Sequence, residues 1–362
     1  MKFNFFKKIF RLPGFLSLSS AGIEICNDSI KYIELVDKNG SFYLKNYGEI
    51  FISQGIIKDG EIIEKGLLVK ALESVKKKIT SDFVRVAIPD EKTYIFQTHV
   101  PKEAISNIRD TLEFKIEENI PLKLEETSFE YDVLVNPKSK NAKDIPVNVS
   151  AVAQKTILDY TDVLNQAGLY PSSFELESKM LVSTAIKKGN NNNFIIVNIK
   201  DDTTVFVGVI AGVVRMTSSV AVGENMIREH LLKTGLFSDE LINGKIFEND
   251  FSFENTYSRE SYDLLINIFS VLKDELEKFS DYMKKEFEIK DIKNIILCGK
   301  SAVLPGLTKH INQKLNANIS LVDSWVNVFD LKEIHPNMKF SDSLSFVVPI
   351  GLWLSLNKEL HA

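Results

Sequence analysis

At 362 residues, of which 44% are hydrophobic, the chain has enough apolar mass for two or more packed domains. Its net charge of -5 and pI near 5.7 exclude a nucleic-acid binder held by a broad basic surface. The two cysteines, Cys26 and Cys298, form no CxxC or Cys/His pattern, so the chain offers no zinc site, and such sparse cysteine usage points to a reducing compartment. 

No apolar run of eighteen residues predicts a membrane span. The first eleven residues, however, place Phe3, Phe6, Ile9 and Phe10 on one arc of a helical projection. Lys7, Lys8 and Arg11 fall on the other side, while Lys2 and Phe5 break the pattern. That arrangement suits a helix lying reversibly in an anionic membrane surface, and equally a helix packed on its own domain. A secretory signal also starts basic, but the apolar stretch after Arg11 is cut short by Pro13-Gly14.

From Ala21, strand signals and turns alternate. Strands at 22–26 and 29–36 flank an Asn27-Asp28 turn, and Lys38-Asn39-Gly40 leads to a third strand at 42–47, giving a meander. Asp59-Gly60 precedes a helix over 63–79, and a buried strand at 83–88 ends at Pro89. These elements form the first part of a first domain, 20–93. A strand at 94–100, a helix over 102–119 stopped by Pro121, strands at 127–135 and 146–153 around a polar loop, and a helix at 155–167 follow. That order predicts an inserted α+β unit, 94–168, with a helix over 174–188 returning the chain to the first domain within 169–190.

Gly189-Asn-Asn-Asn-Asn193 reads as a linker. A second meander, with strands at 194–199, 205–210 and 213–218, makes the core of a second domain, 191–223. Helical segments at 224–234, 238–245 and 258–288 give a small helical subdomain over 224–270, and 271–362 completes the second core. There Asn294-Ile-Ile-Leu-Cys-Gly299 reads as a strand buried on both faces, ending in a glycine that permits a tight turn or close approach to a ligand. Pro305-Gly306 then opens a helix carrying Leu307, His310 and Ile311.

Several motifs in this order resemble the PilM family of actin-like proteins in type IV pilus assembly, related to the division protein FtsA. They are Ile23-Glu-Ile with Ser29-Ile-Lys31, Gly55 to Gly60, and Phe114-Lys-Ile-Glu-Glu-Asn-Ile-Pro-Leu122 with Tyr131-Asp132. Ala167-Gly-Leu169, Glu175-Leu-Glu177, Thr203-Thr204, the 298–307 segment and Val348-Pro-Ile-Gly-Leu352 continue the series over nearly the whole length. The resemblance implies an α/β, actin-like (ribonuclease H-like) two-domain fold with an inserted small α+β subdomain. The chain's end soon after Leu352 favours PilM over FtsA, which typically carries a linker and a membrane-targeting helix beyond that point.

Such a fold implies ATP with magnesium held between two hairpins. The positions corresponding to that site are Glu24, Asn27, Asp28 and Ser29 in the first hairpin and Asn198, Lys200, Asp202, Thr203 and Thr204 in the second. Gly223 and Glu224 follow at the next turn, and Gly299, Lys300 and Ser301 at the adenosine strand. Yet where the family has Asp-Ile-Gly twice, this chain reads Glu24-Ile-Cys26 and Asn198-Ile-Lys200; its two Gly-Gly pairs read Val222-Gly223 and Gly299-Lys300. A side chain at such turns fills space meant for phosphate oxygens or forbids positive φ. Asn198 brings no charge near magnesium, Glu24 moves its carboxylate, and Lys200 can set a cation in the same pocket. Glu177 suits either orienting a water or a solvated helix face. Efficient hydrolysis is therefore not expected, no residue is assigned as catalytic, and nucleotide binding stays open.

The resemblance also implies a scaffold role in type IV pilus or related type II secretion assembly, in the cytoplasm at the periphery of the inner membrane. Its implied partner is the cytoplasmic N-terminal tail of a PilN-type single-span protein, alongside ring and motor proteins, with self-association open and no nucleic acid. Tyr94, Phe96, Ile120, Pro121 and Leu122 are the first candidates for the partner groove, between the first domain and the inserted unit. The rival reading is an active, nucleotide-switching ATPase that polymerises or regulates assembly.

Overall fold

A computed structural model describes residues 20–38, 41–134, 143–233, 259–304, 306–315, 317–329, 334 and 336–361. The basic N-terminal segment, most of the polar loop, the helical segment expected at 238–245 and Pro305 lie outside the described residues.

The first domain opens with β1 (Ser20–Ile25), β2 (Ser29–Lys38) and β3 (Ser41–Phe51), the expected meander, followed by a short hairpin, β4 (Ile57–Lys58) and β5 (Glu61–Ile62). Then come α1 (Lys65–Lys76) and β6 (Phe83–Ile88). The inserted unit contributes β7 (Thr93–Pro101), α2 (Ile108–Asn119), β8 (Thr127–Val133) and β9 (Asp144–Ala153), and the chain returns through α3 (Gln154–Gln166), β10 (Tyr170–Leu176) and α4 (Glu177–Ala185). The second domain holds β11 (Phe194–Ile199), β12 (Thr204–Ile210), β13 (Val213–Val220), α5 (Glu224–Lys233), α6 (Arg259–Glu286), β14 (Asn294–Cys298), α7 (Leu307–Leu315) and β15 (Asn318–Leu321). It closes with the one-turn α8 (Phe340–Ser343) and α9 (Val347–His361).

Two five-stranded sheets, β10-β6-β1-β2-β3 and β13-β12-β11-β14-β15, repeat one plan: parallel strands on one side, an antiparallel meander on the other. Alternation along β1 sends Ala21, Ile23 and Ile25 into a core with Leu68, Leu72 and Val75 of α1 and Tyr160, Val163 and Leu164 of α3. On the opposite face, Ile33 and Leu35 of β2 meet Ile350, Trp353 and Leu354 of α9. The second sheet packs α6 and α7 on one face, and α4 with α9 on the other. α4 and α9 thus lie between the sheets, which requires backbones in near contact: a Cβ added to Gly351 would lie 2.5 Å from the Met180 carbonyl oxygen.

The structure corrects three expectations. Residues 170–176 form a strand beside β6 where a helix was expected from 174; an irregularity between Pro171 and Ser173 brings Glu175 and Leu176 opposite Ala87 and Ile88. The apolar residues Leu176, Met180 and Leu181 satisfy a helical period only because a strand end runs straight into a helix. The helix assigned to the inserted unit, α3, instead turns Tyr160, Val163 and Leu164 onto α1 and the first sheet, and Tyr160 Oη donates to the Gly60 carbonyl at 3.1 Å. Finally, residues 102–107 wind as a 3₁₀ segment before α2, with Asn107 at φ -123° separating the two.

Candidate functional site

Both hairpin tips project from parallel-strand ends toward the same cleft. Each closes by a backbone hydrogen bond, Cys26 N to Ser29 O at 2.8 Å and Lys200 N to Thr203 O at 2.8 Å. Across the cleft, Ser29 Oγ donates to Asp201 Oδ2 at 3.3 Å. Asn225 Nδ2, at the start of α5, donates to Asp28 Oδ2 and Asp202 Oδ1, both at 2.9 Å. The first domain is therefore clasped to the second through side chains.

Three ammonium groups enter the space between the tips. Lys200 Nζ lies 2.9 Å from Glu177 Oε2 and 4.0 Å from Glu91 Oε1. Lys31 Nζ is 3.5 Å from Glu49 Oε1 and 3.7 Å from Asp201 Oδ2, and Lys300 Nζ is 2.8 Å from Glu49 Oε2. The pairing of Lys31 with Glu49 follows from strand register, since the two residues face each other across β2 and β3. Among the described residues, two cavities of about 20 Å³ each open between the tips, with Lys200 and Asp201 lining both. Each accommodates about one water molecule, whereas sites for small molecules run to roughly 300–1,000 Å³.

Burial and charge together set the protonation states. Burial would raise Asp201, but Lys31 beside it and a proton shared by Asp28 hold it down at about 2. Asp28 moves the opposite way, pushed up to about 8 by burial and by that same carboxylate. Its buried Oδ1 meets no conventional donor, and the two carboxylates titrate as a pair. Burial raises Glu24 to about 7 against the pull of Lys31, and raises Asp90 to about 8 with Glu177 adding to the effect. Burial lifts Glu224 to about 6, and it raises Glu177 despite Lys200. Burial alone would lower Lys200, yet Glu177 and Glu91 keep its ammonium protonated well above the usual lysine range.

Of the expected residues, Glu24, Asn198, Lys200, Glu224, Gly299 and Lys300 line one cavity and Asn27, Lys200, Asp202 and Thr203 the other. Asp28 and Ser29 form the clasp. Thr204 and Ser301 are fully buried away from these cavities, with Thr204 Oγ1 donating to the Val222 carbonyl at 2.6 Å. Gly223 and Gly299 are held by packing: an added Cβ would lie 2.4 Å from Asp201 O in the first case and 2.0 Å from Ile199 O in the second. Sequence reasoning missed Lys31, Glu49, Asp90, Glu91, Asp201 and Asn225 as participants. A solvated reading of Glu177 is also set aside, since it is 2% exposed and bound to Lys200.

In the inserted unit, Phe96, Ile120 and Leu122 pack with Ile116, Ala151 and Phe129 on the face covered by α2. Tyr94 sits opposite Ala151 in the register at the exposed end of that row, and Pro121 is exposed. On the other side of β7, a wider cleft of about 490 Å³ opens toward β13, lined by Gln97, His99, Arg215 and Phe287 among others.

Two clasped domains of repeated topology with helices packed between them define an actin-like ATPase fold. Solved structures with this fold include MreB5 of Spiroplasma citri bound to ADP (TM-score 0.53, 13% identity, covering 94% of this chain and 98% of that one). The ethanolamine utilization protein EutJ from Carboxydothermus hydrogenoformans gives a TM-score of 0.51 at 14% identity, covering 92% and 89%. A PilM-PilN type IV pilus biogenesis complex gives 0.74 at 18% identity, covering 94% and 99%. The family model described as type IV pilus assembly protein PilM matches residues 22–356, and the chain belongs to that family. A comparison with curated proteins gives no match.

Proposed function

We propose that this chain is a cytoplasmic scaffold of type IV pilus assembly, with its nucleotide cleft filled by its own side chains and a PilN-type tail as its partner. The observation that carries the first part is the trio Lys31, Lys200 and Lys300, each bound to a carboxylate inside the cleft, with water-sized cavities between them among the described residues. ATP with magnesium does not fit these residues. Asn198 supplies no charge, Glu24 is raised to about 7, and the ammonium of Lys200 is already neutralised. Phosphoryl transfer needs metal, water and phosphate placed together.

The partner reading rests on family membership and on the likeness to a PilM-PilN complex. The face bearing Tyr94, Pro121 and Leu122 offers an aromatic beside an apolar row, the chemistry that takes up an extended tail which orders on binding. Calorimetry with the cytoplasmic tail of the partner should give micromolar or tighter affinity. Tyr94→Ala should weaken it about tenfold, as removal of an aromatic anchor does. Undetectable binding would sink the partner reading; weakening by Arg215→Glu alone would move the groove to the cleft beside β13. The cleft reading is tested separately. Magnesium-ATP should leave the melting temperature unchanged and release no phosphate, and release abolished by Asn198→Ala or Glu24→Ala would establish the switching ATPase instead.

A further inference from the structure

We propose that the cleft of about 490 Å³ between β7 and β13 is a second binding site, which takes an extended peptide segment carrying a carboxylate and, two residues along, a basic side chain. It is separate from the face bearing Tyr94, Pro121 and Leu122, where the partner tail is placed. Its volume falls within the roughly 300–1,000 Å³ of ligand sites, unlike the water-sized cavities between the hairpin tips. Both flanking strands are edges, β7 of the three-stranded sheet and β13 of the second five-stranded sheet. Edge strands offer backbone donors and acceptors to an added extended chain. The fully buried Asn148 donates from Nδ2 to the Val214 carbonyl at 2.9 Å and holds the two sheets together beside the cleft.

Arg215 is the carboxylate-binding group. Its guanidinium carbon lies over the Phe287 ring, 4.7 Å from the centroid, and Nη2 donates to Gln97 Oε1. A ring against one face and an amide at one edge hold the planar fork in a single orientation. That arrangement suits a carboxylate taken up by two parallel hydrogen bonds. Yet among the described residues no carboxylate lies within ion-pair distance of Arg215, and its buried Nε meets no acceptor. Burial accordingly holds the guanidinium below the usual arginine range. A half-buried cation left unpaired in a cavity wall is costly until a ligand supplies the counter-charge. His99 lines the same wall and adds a ring nitrogen for hydrogen bonding.

The other part of the cavity wall is acidic. At the C-terminal end of α6, Glu286 and Glu288 line the cavity on either side of Phe287, where the helix dipole adds partial negative charge. Glu288 stands at φ +51°, the left-handed position that closes the helix, with Ile289 N donating to Lys284 O at 3.1 Å. Glycine or asparagine ordinarily occupies that position, so a glutamate there carries backbone strain. The strain is tolerated where it sets a second carboxylate in the cavity wall. Acidic groups around one guanidinium repel a phosphate dianion and favour a single carboxylate accompanied by a cation. In an extended peptide, residues two apart point to the same side, roughly 7 Å from each other. That spacing suits a guanidinium over Phe287 and carboxylates one residue to either side of it.

The test is a ligand-observed NMR titration of the full chain with the capped peptide acetyl-Thr-Val-Asp-Val-Lys-Val-Thr-amide, whose Asp and Lys share one side. A Kd of about 1 mM or tighter is expected. Replacing the peptide's Asp by Asn or by phosphoserine should weaken binding about tenfold, and replacing its Lys by Gln several-fold. Arg215→Gln should cost about tenfold, and Arg215→Lys should not restore the loss, because an ammonium lacks the fork. Glu288→Gly separates the site from the scaffold: it should raise the melting temperature by relieving the left-handed strain, yet weaken the peptide several-fold. Saturating partner tail, and Tyr94→Ala, should leave the peptide's affinity unchanged, so failure of this site is distinguishable from failure of the tail reading. No binding, equal binding of the Asn peptide, tighter binding of the phosphoserine peptide, unchanged affinity in Arg215→Gln, or displacement by the tail would each overturn the proposal.

Discussion

Lys200 stands at the tip of the second hairpin, and its ammonium is held among Glu177, Glu91 and Glu24. Lys200→Met keeps the volume and removes the charge, leaving Glu177 buried without its cation. Breaking a buried pair this way costs about 3–5 kcal/mol, so urea unfolding should show a loss of that size; a loss below about 1 kcal/mol, the range of exposed pairs, would mean the pair is solvated. The cleft also sets a pH dependence. Glu224 at about 6, Glu24 at about 7 and Asp28 and Asp90 at about 8 all lie above the unfolded values near 4. The folded chain therefore holds more protons than the unfolded chain, and the stability these groups contribute, full below about pH 4, is lost as pH rises through 6 to 8. Asp201, lowered to about 2, has the opposite sign: its contribution is present above about 4 and disappears only as pH falls through 2. The urea midpoint should consequently drop between about pH 6 and 8.5, and Asp28→Asn should flatten the drop near pH 8. A midpoint constant over that range would contradict the shared proton.

At the scale of elements, the surviving glycines follow backbone contacts. Gly299 combines φ +94° with an added Cβ only 2.0 Å from Ile199 O, so Gly299→Ala is strained in both conformation and space. A loss of about 3 kcal/mol or more in thermal or chemical unfolding is expected, without any ligand being involved. An unchanged midpoint would mean that the β14 end can relax away from β11. The same contacts show what was legible beforehand. Alternation and turn residues located both meanders, because a half-buried strand writes its burial into every second residue. Continuous apolar runs found β6 and β14 for the complementary reason. The helix α3 was visible as a stripe, but a stripe does not name the surface it meets, and Tyr160, Val163 and Leu164 chose the first sheet. The strand at 170–176 was hidden by its fusion to α4. In the cleft, the altered turns were legible as lost glycines. The ion pairs were not, since Glu49 meets Lys300 across 251 positions and only folding places them 2.8 Å apart. Lys31 with Glu49 could have been read, given the β2–β3 register.

For the whole molecule, the question is which contacts hold the two domains closed. On one side α4 and α9 lie between the sheets, with Gly351 against Met180 and Thr184 Oγ1 donating to the Val347 carbonyl at 2.8 Å. That contact is apolar and extensive, so it behaves as the hinge that stays shut. On the cleft side closure depends on few groups, and Asp201 gathers most of them: Ser29, Lys31 and the proton of Asp28 all come to it from the first domain. Asp201→Ala removes these at one stroke and leaves Lys31 to Glu49 at 3.5 Å, with Cys26 and Glu24 of its own domain beside it. Opening of the cleft should follow, seen as a larger radius of gyration in solution scattering and faster amide exchange at 26–29 and 200–204, while 347–355 stays protected. Magnesium-ATP, by contrast, should change neither quantity in the unaltered chain, because a ligand shifts only an equilibrium between states to which it binds differently. If nucleotide compacts the unaltered protein, the side chains in the cleft must yield to it and the self-filled reading fails. If Asp201→Ala leaves scattering and exchange unchanged, the hinge alone sets the closed state and the clasp is incidental.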